Sequence, residues 1–122
     1  MKVNYKNIFD IKNKKAFVIG GSGVIGGEIC EALYESGCKV FNLDVNFDKK
    51  KNKKIKNIYF YFSKLKYLEK KFGQLIKSNG TPDIFINCSY PRTSDWKNNS
   101  FKKININSYK KNIDIHLNSF VW

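Results

Sequence analysis

The chain has 122 residues and a formal net charge of +13, with 42% hydrophobic and 16% aromatic residues. That describes one modest domain with enough apolar material for a core, which excludes a disordered basic tail. All but one of the 23 basic residues are lysine, Arg92 being the exception, so the charge carries little of the guanidinium chemistry that reads bases and grips phosphates. Lys, Asn and Ile share A/T-rich codons and together exceed two-fifths of the chain. The basic excess therefore reads as genome composition before it reads as a nucleic-acid footprint. The opening residues Met1 to Asn7 lack the apolar segment of a secretory signal. No stretch approaches the ~18 consecutive apolar residues of a membrane span. Cys30, Cys38 and Cys88 form no C-x-x-C pair, and His116 is the only histidine. A disulfide framework and a metal site are both disfavoured, and a cytoplasmic location is expected.

In chain order, Lys15-Ala16-Phe17-Val18-Ile19 is a short unalternating apolar run, the pattern of a strand buried on both faces. From Val24 to Ser36, Ile25, Ile29 and Leu33 recur at helical spacing, and Gly37 stops the helix. Lys39 to Asp44 reads as strand two and, after a Lys-rich connector, Ile58 to Phe62 as strand three. Ser63 can cap a helix carrying Leu65, Leu68, Phe72, Leu75 and Ile76, which ends near Gly80-Thr81-Pro82. Asp83 to Asn87 is strand four. A polar loop from Ser89 to about Asn107 precedes a last helix with Tyr109, Ile113, Leu117 and Phe120 on one face. Strands alternating with helices imply right-handed crossovers, hence an α/β fold with a parallel sheet and helices on both sides. No internal repeat is present.

Strand one runs directly into Ile19-Gly20-Gly21-Ser22-Gly23-Val24-Ile25-Gly26-Gly27 and a helix. Glycines at 20, 23 and 26 fit a phosphate loop: the first for the tight turn, the second for close approach of a pyrophosphate, the third for packing helix on strand. The helix's unpaired N–H groups and positive end would hold the anion. The contacts expected here are Gly20, Ser22, Gly23, Val24, Ile25 and Gly26. Asp44 ends strand two, 18 residues after Gly26, where a carboxylate accepts the adenosine ribose hydroxyls and repels a 2′-phosphate. The expected cofactor is NAD, with NADP less favoured, although Lys49, Lys50, Lys51, Lys53, Lys54 and Lys56 beyond it could soften that preference.

These residues resemble the short-chain dehydrogenase/reductase family from about Phe9 to the last residue. The glycine spacing is closer to that family's longer, nucleotide-sugar branch. The resemblance implies a Rossmann-type sheet of order 3-2-1-4, here reaching only the fourth strand and its following helix. Asp83-Ile84-Phe85-Ile86-Asn87-Cys88-Ser89-Tyr90 lies where the family carries Asn-Asn-Ala-Gly. Only Asn87 is kept literally, as the stabiliser of that turn, with Cys88 and Ser89 beside the cofactor. The stretches Ser89 to Trp96 and Asn112 to Ser119 also resemble oxidoreductases of flagellin-modification and surface-sugar pathways.

Family members are about twice this length and use an Asn, a Ser and a Tyr-x-x-x-Lys pair for acid/base chemistry. The Ser and the pair lie on elements beyond residue 122, so the chain reads as the N-terminal cofactor-binding portion, inactive alone. Tyr67 to Lys71 makes one Tyr-x-x-x-Lys, but on the helix before strand four, away from the family's nicotinamide. His116 aligns with the family's helix Asn and could replace it in a water relay, or simply pack. Arg92, in the loop after strand four, could grip a phosphate or carboxylate of a sugar-like substrate, or pack on Trp96 or Tyr90. Homo-oligomers are implied by the resemblance. A nucleotide-sugar epimerase or dehydratase fragment and a basic nucleic-acid-binding module are the alternatives. Lastly, the uncovered last helix is expected to expose Ile113, Leu117 and Phe120.

Overall fold

The computed structural model describes residues 8–47, 54–61, 67–98 and 103–121. Among these, the chain runs β1 (Lys15–Ile19), α1 (Val24–Glu35), β2 (Lys39–Asp44), β3 (Lys56–Tyr59), α2 (Leu68–Asn79), β4 (Ile84–Asn87), a 3-10 turn (Trp96–Asn98) and α3 (Ile106–Val121). The strands form one parallel sheet of order β3-β2-β1-β4, as the alternation of elements requires. β1 is central, pairing Phe17 with Phe41 on one side and Phe85 on the other. Its apolar run is the reason: Ala16, Phe17 and Val18 are 0% exposed, a burial that only a strand covered on both faces can achieve.

Two apolar layers flank the sheet. One face packs Ala16, Val18 and Val40 against Cys30 of α1, with Ile29 and Leu33 at its margin. The other packs Phe17, Ile19 and Leu43 with Leu68 and Leu75 of α2. There Phe72 makes edge-to-face contacts with Phe60 at 6.2 Å and Phe85 at 5.6 Å, each pair adding about 0.5–1.5 kcal/mol beyond burial. α1 ends as expected at Gly37, whose N–H donates to the Tyr34 carbonyl while that of Cys38 donates to Leu33.

Several boundaries and one face differ from the sequence pattern. Strand three lies at Lys56–Tyr59, starting before Ile58 and ending before Phe60 and Tyr61, while Phe62 lies outside the described residues. Its register against β2 runs from Phe41–Lys56 to Asp44–Tyr59, so it stops where its partner stops. Phe60 then turns into the core at 5% exposure. Ser63 and Leu65 lie outside the described residues, as do Lys49, Lys50, Lys51 and Lys53 of the connector. The last helix starts earlier than expected, at Ile106, because the Asn105 side-chain oxygen accepts the Asn107 N–H at 2.8 Å and caps it.

Ile25 does not join the buried stripe of α1: it is 72% exposed, and the buried residues are Gly26, Gly27 and Cys30. The start of the helix lies so close to the glycine loop that a β-carbon at Gly26 would overlap the Gly20 backbone. Ile113, Leu117 and Phe120 are exposed, as expected. The inward face of α3 is instead polar, formed by Ser108 and Asn112. No helix of the described residues is long and apolar enough to cross a membrane.

Candidate functional site

The glycine loop leaves the carboxyl end of β1 and is tied on both sides. The Gly20 N–H donates to the Leu43 carbonyl of β2, and the Cys88 N–H donates to the Ile19 carbonyl of β1, both at 2.8 Å. Gly20 has φ +74°, and a β-carbon there would lie 2.8 Å from backbone atoms of Cys88 and Ser89. The turn after β4 is thus pressed directly against the loop. Gly26 is equally constrained: its β-carbon would overlap the Gly20 carbonyl oxygen and sit 2.9 Å from the Gly20 carbonyl carbon. Gly23 differs. It is exposed, and a β-carbon would meet only the Gly20 oxygen at 3.3 Å, so its open side is where a ligand can approach.

α1 opens at Val24 with Gly23 as its N-cap and no side-chain cap. Its first amides are therefore left for a ligand, at the positive end of the helix. Val24 is 88% exposed, and with Ile25 it leaves an apolar surface beside those amides. At the crowded glycines the backbone itself forms the wall of this cradle.

Asp44, at the end of β2, faces the same loop. Its Oδ2 accepts the Ser22 N–H at 2.9 Å, and its Oδ1 accepts the amides of Val45 at 2.7 Å and Asn46 at 3.2 Å. Whatever ligand role is expected of it, Asp44 is the clasp between loop and strand. Two residues went unassigned. Asn42, 6% exposed in the middle of β2, donates from Nδ2 to Ser22 Oγ and to Asn57 Oδ1. Gly21 is held against it, since a β-carbon there would lie 2.5 Å from Asn42 Oδ1. The available signal was an Asn interrupting an apolar strand two residues before Asp44.

Beyond β4, Asn87 Oδ1 accepts both the N–H of Ser89, at 2.9 Å, and its hydroxyl, at 2.6 Å, closing the turn against Gly20. Burial pushes the Cys88 thiol pKa up, which disfavours the reactive thiolate. The Arg92 guanidinium lies over the Tyr90 ring at 5.6 Å. The His116 ring meets Tyr90 at 4.7 Å and Phe120 at 5.4 Å. The structure thus brings Arg92 and His116 to one aromatic cluster, with Trp96 at its edge.

Asn112, 6% exposed, ties this loop to α3 by accepting the Thr93 N–H and donating to Thr93 Oγ1. An open cleft of about 650 Å³, lined among others by Arg92, Ser94, Asp95 and Lys111, lies alongside. The Asp95 carboxyl is held below its usual pKa, first by a hydrogen bond from the Thr93 side chain and next by one from Ser108. Tyr67 precedes α2 and, like Lys71, is exposed. Among the described residues no group of three or more His, Cys, Asp or Glu could hold a metal ion.

Against known proteins, the family model described as "NAD dependent epimerase/dehydratase family" matches residues 16–114. No curated protein matches the chain. Solved structures do. A short chain dehydrogenase from Leptospira borgpetersenii with bound NAD+ superposes with a TM-score of 0.72 at 23% identity, over 99% of this chain and 46% of that one. A 4-hydroxyisoleucine dehydrogenase complexed with NADH gives 0.63 at 24% identity, over 88% and 44%. A 2-keto-3-deoxy-D-gluconate dehydrogenase from Streptococcus agalactiae gives 0.69 at 18% identity, over 95% and 47%. These likenesses establish the fold, and the chain spans less than half the length of each.

Proposed function

The chain belongs to the NAD-dependent epimerase/dehydratase family, and from that premise we propose that it is the N-terminal, cofactor-binding portion of an NAD-dependent short-chain oxidoreductase. The observation that carries this reading is the cradle itself. The crowded Gly20 and Gly26 and the uncapped start of α1 face one space, with the Asp44 carboxylate at its edge. In it the first amides of α1 would hold the pyrophosphate, Gly23 would allow its approach, and Val24 and Ile25 would cover it. Asp44 would accept from the adenosine ribose and disfavour a 2′-phosphate, so NAD is preferred to NADP. The turn Asn87, Cys88 and Ser89 would line the next part of the cofactor.

The bound dinucleotide would supply the hydride acceptor or donor for an alcohol or ketone. A sugar-like substrate is the reading we favour, and Arg92 would contact an anionic group on it. His116, at the family's Asn position, would order water there. No Tyr-x-x-x-Lys occurs after β4 in these 122 residues, so this chain is expected to bind without turning over. The exposed Ile113, Leu117 and Phe120 of α3 support self-association, which sedimentation would detect.

Calorimetric titration with NAD, NADP and a short oligonucleotide tests the proposal. NAD should bind more tightly than NADP. Steeply salt-dependent oligonucleotide binding with no response to either dinucleotide would replace this reading with a nucleic-acid-binding one. A second reading, a nucleotide-sugar epimerase or dehydratase, is favoured by the family match and the glycine spacing. It predicts further binding of a nucleotide sugar after saturation with NAD.

A further inference from the structure

Asn42 lies on the same face of β2 as the buried Val40, where an apolar side chain would leave no polar atom of its own unpaired. Its Oδ1 is buried with no hydrogen-bond partner, a destabilising arrangement that an apolar side chain would avoid. Its Nδ2, by contrast, is fully used: one hydrogen goes to Ser22 Oγ at 3.0 Å and the other to Asn57 Oδ1 at 2.9 Å. Asn57 is the register partner of Asn42 on β3, so the amide is braced from the neighbouring strand. What the amide does, then, is act on Ser22.

A hydroxyl oxygen that accepts from Nδ2 on its inner side keeps its own proton for the outer side. Among the described residues no acceptor takes that proton. Ser22 is meanwhile held at a second atom, its N–H donating to Asp44 Oδ2 at 2.9 Å. The partly exposed Ser22 hydroxyl is thus fixed as a donor beside a fixed acceptor, the Asp44 carboxylate.

We propose that Asn42 is a positioning residue for recognition of the adenosine ribose. By donating to Ser22 Oγ it makes Ser22 an outward hydrogen-bond donor, and the pair Ser22 and Asp44 then reads a vicinal diol. One hydroxyl donates to the carboxylate while its neighbour accepts from Ser22. A 2′-phosphate can only accept and meets the carboxylate charge, so Asp44 disfavours it, while Ser22 serves the neighbouring hydroxyl. This inference rests on the dinucleotide reading above.

The test is calorimetric binding of AMP, 2′-deoxy-AMP, 3′-deoxy-AMP, inorganic pyrophosphate and NAD. The proteins are the unaltered chain, Asn42→Ala, Ser22→Ala and the double variant. Each single substitution should weaken AMP and NAD about 3- to 10-fold, the scale of one neutral hydrogen bond. The double variant should lose no more than either single one, because both remove the same contact. Against the deoxy form that lacks the contacting hydroxyl, the loss should vanish. In Asn42→Ala pyrophosphate affinity should not move, whereas a loop that had merely become disordered would weaken it too. Asn42→Val, which also removes the Nδ2 donor but keeps more of the side-chain volume, replaces Asn42→Ala if the latter does not fold. Unchanged AMP affinity in the single variants, additive losses, or equal losses against both deoxy forms would overturn the proposal while leaving the dinucleotide reading intact. An unaltered chain that binds neither AMP nor NAD would overturn both.

Discussion

Replacing Gly20 with alanine separates a glycine required by the fold from one that is merely present. Its φ of +74° lies in the left-handed region, where a residue with a β-carbon costs about 1–2 kcal/mol. The added carbon would also sit 2.8 Å from the carbonyl carbon and oxygen of Cys88 and the nitrogen of Ser89. All three are backbone atoms of the turn closed by Asn87, so no side-chain rotation relieves the overlap. Forced overpacking of that kind costs about 1–3 kcal/mol. Reduced freedom of the unfolded chain returns only about 0.4–1 kcal/mol. The net loss is about 1–5 kcal/mol, and for a domain of this size the melting temperature should fall on the order of 10 °C. Thermal unfolding followed by circular dichroism measures this directly. Because the overlap pushes the loop away from the β4 turn, NAD affinity should fall as well. A melting temperature within about 2 °C of the unaltered chain would refute the reasoning, since neither cost could then be present.

Gly73→Ala is the opposite case. It lies on the exposed side of α2, where a β-carbon meets nothing within 4 Å, so helix propensity should raise stability by about 0.5–1 kcal/mol, and a lower melting temperature would contradict this account of α2. Asp83 accepts the Lys15 N–H at 2.9 Å and pairs with Lys14 at 3.5 Å, and its carboxyl is held below the ordinary value, chiefly by the Lys15 amide. A depressed carboxyl stabilises the fold above its unfolded pKa of about 4, and that contribution disappears as pH falls through the folded value. Asp83→Asn should therefore flatten the acid side of a plot of urea midpoint against pH, and identical slopes would count against it. Asn112→Ala should cost about 1–3 kcal/mol by removing its two hydrogen bonds to the partly buried Thr93. It should also speed hydrogen exchange at the Thr93 amide, and an unchanged exchange rate there would show that the loop is held by something else.

The reach of the sequence pattern differed from element to element. β1 and β2 were legible to the residue because their apolar runs are bounded by charge and glycine, and Gly37 marked the end of α1 through its lack of a β-carbon. β3 was misplaced because Tyr59, Phe60 and Tyr61 all favour strands, and only pairing with β2 decides where the ladder stops. Ile25 was assigned to the core because helical spacing counts apolar residues, not the distance between helix and sheet. Asn105 was a visible cap signal, yet the surrounding polar residues resembled loop. Within the site, Gly20, Gly26 and Asp44 could be named in advance. The clasp of Asp44 on the Ser22 amide, the ladder through Asn42 and Asn57, and the hold of Asn112 on Thr93 could not. Each joins residues far apart in the chain, which meet only when the strands, loops and helices have packed.

The sequence by itself determined that alternating buried strands and helices must form a parallel sheet, and that a glycine loop follows the first strand with a carboxylate ending the second. Local steric freedom and periodicity suffice for that. The tertiary structure alone decided which glycines are indispensable, because crowding at Gly20 and Gly26 comes from the turn after β4 and from the loop's own backbone. It also decided which polar groups are spent on the fold and which are left for a ligand, since a hydrogen bond depends on positions that no spacing along the chain specifies.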